Sequence, residues 1–134
     1  MMTKTEVLND IRETFGMVPG FFESLPDEVI EEEWRLFKKE VTSTTLSGKF
    51  QNLIGLAVAS AIRCRYCTYF HTALAKAEGA TDAEINAAVR QAKQVQGWST
   101  YLHGIRYDES KLQKEVDQMV SIMKSRKREP VGVR

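Results

Sequence analysis

The most informative stretch of this chain is LIGLAVASAIRCRYCTYFH, residues 53–71. Its first ten residues are the most apolar run of the protein, but a membrane span needs ~18 such residues. Small residues interrupt the large aliphatic ones, which permits neighbouring helices to approach closely, and apolar side chains all round predict central burial. We therefore expect a buried helix over about 48–62, with Ser47 as its N-cap.

Upstream of this stretch, the sequence predicts two amphipathic helices. Gly16 ends the first, and Pro26, a residue type favoured in a first helical turn, begins the second after a turn and a short apolar segment. The inward-facing residues predicted by the spacing are Val7, Leu8, Ile11 and Phe15 in the first helix and Ile30, Trp34, Phe37 and Val41 in the second.

Downstream, the helical pattern continues to the end of the chain. A helix over 64–78 is closed by Gly79, and a capping box at 81–84 begins the next helix, which Gly97 is expected to end. A short helix over 98–105 and a last amphipathic helix follow. No window of the sequence alternates in the way that strands do, so the predicted fold class is all-α. The apolar residues that mark the last helix are Leu112, Val116, Met119 and Met123.

Composition places the chain among ordinary globular domains. It has 134 residues, 43% hydrophobic and 28% charged, which predicts a single domain over 1–134. The formal net charge of +1 gives no reason to expect nucleic acid or a membrane surface as a partner. No signal-peptide pattern opens the sequence, so we expect a cytoplasmic protein. Residues 125–134 form a short basic segment that we expect to be a flexible tail.

Cys64, Cys67 and His71 carry the predicted chemistry. At ~100° per residue, the three side chains fall within an arc of about 60° on one helix face. The first turn of a helix is its positive end, and Arg63 and Arg65 add charge nearby, so a thiolate is favoured. The imidazole can take a proton from an attacking thiol and return one to a leaving group, as thiol exchange requires.

Other interpretations of these three residues stay open at this point. A zinc site would need His103 as its fourth ligand, and that ligand spacing matches no common zinc pattern. The cysteines could also be inert core residues, because small free cysteines are often buried, and His71 could be a core histidine. We predict no metal and no cofactor.

The pattern resembles the carboxymuconolactone decarboxylase/alkylhydroperoxidase D-like (AhpD-like) family. The resemblance covers about residues 16–105, which would form the core of the domain. It is carried by the Ala-rich segment 46–61, the Cys64–His71 motif, the Gly-Ala-Thr-x-x-Glu-Ile turn at 79–85 and the lead-in at 16–22. The combination is specific, whereas each part alone would be weak.

The resemblance implies an AhpD-like helical bundle that forms a homo-oligomer, a trimer or hexamer, with peroxiredoxin-type activity. In this family, Cys67 would attack a hydroperoxide or disulfide substrate, and Cys64 would resolve the product as an intramolecular disulfide. His71 would belong to the proton relay. The implied partners are thioredoxin-like or lipoyl-carrying proteins as reductants and a peroxiredoxin as a client.

Two positions depart from the family pattern. The family usually has a glutamate twelve residues before the first cysteine, where this chain has Asn52. An amide can form hydrogen bonds but cannot carry a proton by titration, so the relay would be broken or rerouted. Tyr66 stands where the peroxidase branch has a second histidine, and a phenol is a poorer proton acceptor at neutral pH. We expect both residues to shape the pocket, with disulfide exchange favoured over peroxide turnover.

Three functional hypotheses follow. The first is a thiol–disulfide oxidoreductase with hydroperoxidase activity, and the alternatives are a carboxymuconolactone decarboxylase-type lyase and a non-enzymatic, redox-sensing oligomer. A lyase would leave the two thiols without a role. Large aromatic residues on short helices suit either a partner subunit or the core of one chain. These residues are Trp34, Phe37, Trp98, Tyr101 and Tyr107.

Overall fold

The computed structural model describes residues 1–128, which form seven helices and no strand. The predicted all-α class is therefore confirmed. The helices are α1 (Lys4–Phe15), α2 (Gly20–Glu23), α3 (Asp27–Val41), α4 (Gly48–Ala61), α5 (Arg65–Ala77), α6 (Asp82–Gly104) and α7 (Glu109–Arg128).

Helices α1, α2 and α3 form a packed cluster, which we call the N-terminal cluster. Its buried side chains are those of Val7, Ile11, Phe22, Ile30 and Trp34. The rings of Phe22 and Trp34 meet edge to face, with centroids 5.3 Å apart, a favourable geometry for aromatic pairs. Most residues of the two predicted apolar stripes thus meet in one core, whereas Phe15 and Val41 at the helix ends are exposed.

One polar group anchors the N-terminal cluster. Asp10 accepts a hydrogen bond from Nε1 of Trp34 at 2.6 Å and forms an ion pair with Lys38 at 2.7 Å. Lys38, and then Trp34, hold the pKa of the Asp10 carboxyl below its usual value. A buried indole N–H is therefore satisfied by a carboxylate that stays charged at neutral pH.

Helix α4 packs against both α5 and α6, and we call these three helices the dithiol region. The predicted N-cap is present, since the Ser47 side chain accepts from the backbone of Phe50. At its other end, Arg63 adopts a left-handed conformation with φ of 57°. Lys49 of α4 forms an ion pair with Glu84 of α6 at 2.7 Å, and that glutamate also completes the predicted capping box.

The prediction that Gly97 ends a helix is wrong. Helix α6 continues through this glycine to Gly104, so the segment 98–105 is not a separate helix. A glycine inside a helix costs only about 1 kcal/mol relative to alanine, and the good helix formers Lys93, Gln94 and Gln96 precede this one. The chain leaves the helix at Arg106, which has φ of 52°.

Central burial of α4 is also not what the structure shows. Among its residues only Leu56 and Ala59 are buried, because α5 and α6 cover just part of its circumference. A stripe of apolar side chains, spaced by four residues, stays more than half exposed. We call it the α4 stripe, and it consists of Phe50, Ile54 and Val58 and of the C-cap residue Ile62.

The last part of the described chain forms the long helix α7. Helix α7 includes residues 125–128 of the predicted basic tail, and residues 129–134 lie outside the described part of the chain. Trp34 is in the core, whereas Trp98 and Tyr101 are more than half exposed. None of the helices within residues 1–128 combines the length and apolar character that a membrane crossing requires.

Candidate active site

The two thiols meet at the start of α5. Cys64 is the N-cap residue, with extended backbone angles, and its sulfur accepts the backbone N–H of Cys67 at 3.2 Å. The two Sγ atoms lie 2.7 Å apart. Both cysteines are free and partly exposed to solvent. The sulfur atoms are thus turned toward each other and within reach of disulfide formation.

The hydrogen bond between the two thiols shifts their pKa values in opposite directions. The Cys67 thiol, together with the Cys67 backbone N–H, lowers the pKa of Cys64 below its ordinary value. The same contact raises the pKa of Cys67, because its proton is held against the neighbouring sulfur. In this geometry a thiolate forms more readily at Cys64 than at Cys67, as expected at a helix N-terminus.

His71 is held by Asn52 of the neighbouring helix. Nδ1 of the imidazole lies 3.0 Å from Oδ1 of Asn52, and Nδ2 of the same amide donates to the Gly48 carbonyl at 2.9 Å. A carbonyl oxygen only accepts, so the amide nitrogen faces Gly48 and the amide oxygen faces the ring. Nδ1 must then carry the proton, which leaves Nε2 as the proton-accepting atom.

Partial burial sets the charge of this imidazole. Desolvation lowers the pKa of His71 below the usual 6.5, since it disfavours the cationic form. The ring of Phe70 meets the imidazole edge to face, with centroids 5.2 Å apart. His71 is therefore neutral at neutral pH and ready to accept a proton.

Gly55 provides the space that this ring occupies. A Cβ atom at position 55 would lie 2.5 Å from Nδ1 and 2.6 Å from Nε2 of His71, well inside van der Waals contact. The imidazole thus packs directly on the backbone of α4. The sequence suggested that small residues there allow close helix approach, but nothing in it identified which side chain uses the space.

Within residues 1–128, the predicted site residues beyond the two cysteines form no hydrogen bond with either sulfur. Within the described chain, no hydrogen bond joins His71 to either sulfur, so proton transfer needs a substrate atom, a solvent molecule or a side-chain rotation. Tyr66 is largely exposed, and its hydroxyl accepts a bond from Arg65 at 3.3 Å. Asn52, in contrast, contacts the imidazole directly.

The open zinc alternative finds no support in the geometry. His103 lies near the end of α6, where its Nδ1 contacts the backbone oxygen of Ser99 at 2.8 Å. Over residues 1–128, no three His, Cys, Asp or Glu side chains are grouped so that they could hold a metal ion.

Comparisons with known proteins match this chain to one family and to one solved structure. The model of the carboxymuconolactone decarboxylase family matches residues 31–110, which include both cysteines, His71 and Asn52. Among solved structures, the alkylhydroperoxidase AhpD core from Rhodospirillum rubrum ATCC 11170 is similar, with a TM-score of 0.70 and 26% sequence identity. The alignment covers 81% of this chain and 85% of that chain. A comparison with curated protein sequences finds no match.

Proposed function

The chain belongs to the carboxymuconolactone decarboxylase family, and we propose that it is a thiol–disulfide oxidoreductase with alkylhydroperoxidase-type activity. One observation carries the proposal: two free sulfur atoms lie 2.7 Å apart at the N-terminus of α5. A helix N-terminus stabilises a thiolate, and a second thiol in contact can trap the oxidised product as a disulfide. A lyase would give neither thiol this role.

The two cysteines have different roles in this proposal. Cys64 holds the resting negative charge, and Cys67 attacks after its proton moves to the neighbouring sulfur. This transfer reconciles the pKa directions, which favour a thiolate at Cys64, with the attacking role that the family resemblance implies for Cys67. Nε2 of His71 then accepts the proton that Cys64 must lose before it resolves the product.

With a hydroperoxide, the attacking thiolate bonds to an oxygen and the O–O bond breaks. The products are a sulfenic acid and an alkoxide, which takes up a proton and leaves as the alcohol. The second thiolate attacks the sulfenic sulfur, so that a disulfide forms and hydroxide leaves as water. A disulfide substrate instead gives a mixed disulfide and releases a thiol. A dithiol reductant, such as a thioredoxin-like or lipoyl-carrying protein, restores both thiols.

Asn52 favours disulfide exchange over peroxide reduction. Its amide orients the imidazole through the bond to Nδ1, but it cannot pass a proton onward by titration. An alkoxide is a far more basic leaving group than a thiolate, so peroxide reduction depends more heavily on rapid proton delivery. We expect measurable disulfide reduction and slower hydroperoxide turnover.

The α4 stripe supports a homo-oligomer, with a trimer or hexamer as the form that the resemblance implies. Its four apolar side chains are each more than half exposed in a single chain, and they lie on one helix face. Contiguous exposed apolar surface of this kind is typical of a subunit interface. Light scattering of the parent and of Ile54→Lys tests this part: the variant should have the lower mass.

Turnover measurements test the enzymatic proposal. Reduction of cumene hydroperoxide and of a small disulfide is compared in the parent, Cys64→Ser and Cys67→Ser, with dithiothreitol as reductant. Both substitutions should abolish sustained turnover, because each removes one half of the disulfide. The two histidines provide a matched pair: His71→Gln should lower the rate by about 10²-fold or more, whereas His103→Gln should retain it. Equal activity in all five proteins would reject the proposal.

A further inference from the structure

A basic groove flanks the dithiol. Its α5 residues occupy the face next to that of the cysteines, and Thr68 Oγ1 donates to the backbone carbonyl of Cys64 at 2.8 Å. The groove is open to solvent and combines two guanidinium groups with several hydroxyls. Its lining residues are Ser60, Arg63, Arg65, Thr68, Tyr69 and Thr72.

The helices around this groove carry mainly positive charge. Residues 41–107 contain seven Lys or Arg and three Asp or Glu, and the three acidic residues all lie in 78–85. Residues 1–40, by contrast, hold ten acidic and five basic side chains. A chain with a net charge of +1 thus concentrates its positive charge on the helices that build the site.

Within residues 41–77, the two arginines are the cations that have no carboxylate partner. Lys49 and Lys76, the other basic residues of 41–77, form ion pairs with Glu84 and Asp82. Within residues 1–128, neither Arg63 nor Arg65 forms an ion pair. Guanidinium groups present several N–H donors in a planar arrangement that matches a carboxylate.

We propose that this groove binds the anionic group, such as a carboxylate, of the disulfide or hydroperoxide that reacts with the dithiol. The two arginines flank Cys64 in sequence, so an anion held there keeps the rest of a small substrate beside the sulfur atoms. This inference rests on the proposed function, which identifies the bound ligand as a substrate. It adds substrate charge as a determinant of specificity.

The backbone offers a clean way to remove one arginine. Arg63 has φ of 57° at the end of α4, and Arg106 has φ of 52° at the end of α6, outside the groove. Glycine adopts this conformation without strain, so Arg63→Gly and Arg106→Gly each remove a guanidinium while relieving the backbone. The two substitutions match in chemistry and differ in location. Arg65→Ser removes the second groove arginine.

The test uses the reduced protein in single-turnover reactions with two chromogenic disulfides. Dithiobis-nitrobenzoate carries two carboxylates and dithiodipyridine is uncharged. In each reaction a protein thiolate attacks, the reagent S–S bond breaks and an aromatic thiolate leaves, after which the second cysteine releases another. Stopped-flow absorbance gives the rate constant for each reagent. The measured quantity is the ratio of anionic to neutral rate constants, divided by the same ratio for free mercaptoethanol.

The normalised ratio should exceed one in the parent, fall as salt screens the charge, and fall about five-fold for Arg63→Gly and for Arg65→Ser. Arg106→Gly should keep the parent ratio. An unchanged ratio in both groove variants would overturn the inference, as would equal slowing with both reagents, which indicates an effect on thiol pKa alone. These reactions need reactive thiols and no catalytic cycle. A protein without turnover that keeps the charge-dependent ratio would therefore reject the proposed function while supporting the groove.

Discussion

The N-terminal cluster and the dithiol region use similar helices for different purposes. In the cluster, five large side chains are almost fully buried, and its one buried indole N–H is satisfied by Asp10. In the dithiol region, Leu56, Ala59, Ala75 and Ala92 are the buried side chains, and the α4 stripe stays exposed. The first region gains its stability from apolar burial, and the second keeps small residues and solvent-accessible thiols where chemistry needs them.

Charge follows the same division. Acidic residues predominate in residues 1–40, and the helices around the thiols carry mainly basic residues. The family match begins inside α3 and contains the whole dithiol region, whereas α1 and α2 lie outside it. Substitutions in the cluster should therefore change stability, and substitutions in the dithiol region should change reactivity.

The largest expected effect on stability comes from Trp34→Ala. The side chain is 2% exposed, so its removal should lower the free energy of unfolding by about 3–5 kcal/mol. Activity per folded molecule should stay near that of the parent. Denaturant unfolding with parallel activity measurements checks both expectations.

Trp98→Ala is the matched control, because Trp98 is 60% exposed in the single chain. Its loss should change the unfolding free energy by at most about 0.5 kcal/mol. A larger change that depends on protein concentration would indicate burial against a partner subunit. If Trp34→Ala were no more destabilising than Trp98→Ala at high dilution, the division between the regions would be wrong.

Gly55→Ala should give the largest effect on reactivity outside the three site residues. The new methyl group would occupy the space of the imidazole, so His71 must move and turnover should fall about ten-fold or more. Gly97→Ala is the control, since its Cβ would meet open space inside α6. That change should leave turnover intact and stabilise the fold by about 0.5–1 kcal/mol. Equal turnover in both variants would contradict the role of Gly55.

The unequal sharing of charge between the cysteines should appear in alkylation rates. In Cys67→Ser, the remaining Cys64 still accepts the backbone N–H at position 67, so one cause of its lowered pKa persists. In Cys64→Ser, the thiol that raises the pKa of Cys67 is gone, but burial still raises that pKa. We expect iodoacetamide to modify Cys67→Ser about ten-fold faster than Cys64→Ser at pH near 7. The reverse order would place the resting thiolate on Cys67.

The smallest expected effect concerns Asn52 and the charge of His71. Because burial lowers the His71 pKa, the unfolded chain binds a proton at higher pH than the folded one, and stability is lost as pH falls below 6.5. A carboxylate in Asn52→Glu should raise the His71 pKa by about one unit or more and weaken this loss. Asn52→Gln adds no carboxylate, so it should not raise the His71 pKa.

An NMR titration of the His71 ring proton, with the His103 resonance as internal reference, measures this change. Hydroperoxide turnover should rise with the Asn52→Glu substitution, because a titratable relay is restored. Identical titration curves in Asn52→Glu and Asn52→Gln would show that position 52 does not contact the imidazole in solution.

Local signals predicted the helices well, because caps act over a few residues. Gly16, Ser47, Gly79 and the capping box at 81–84 bound helices as the sequence indicated. The prediction that Gly97 ends a helix was wrong because a single glycine costs little inside a long helix. The apolar run of α4 misled in another way, since periodicity shows how apolar a helix is but not how many neighbours cover it.

In the candidate site, too, local sequence signals predict some features, and the packing of helices determines the others. Spacing alone predicted that Cys64, Cys67 and His71 share one face, and the structure places Cys64 at the N-cap of the helix that contains the other two. The His71 ring contacts Gly55 and forms a hydrogen bond with Asn52. Both interactions depend on how α4 packs against α5. That packing joins residues up to nineteen apart in sequence, which no local pattern determines.

The most direct measurement of the central claim is stoichiometric oxidation of the reduced protein. One equivalent of cumene hydroperoxide is added, and intact mass and free thiols are then measured without reduction. We predict the loss of both thiols and a mass lower by two hydrogen atoms, all within one chain, as Cys64 and Cys67 form a disulfide. Two thiols that stay free, or a mass increased by oxygen on separate sulfur atoms, would contradict the account.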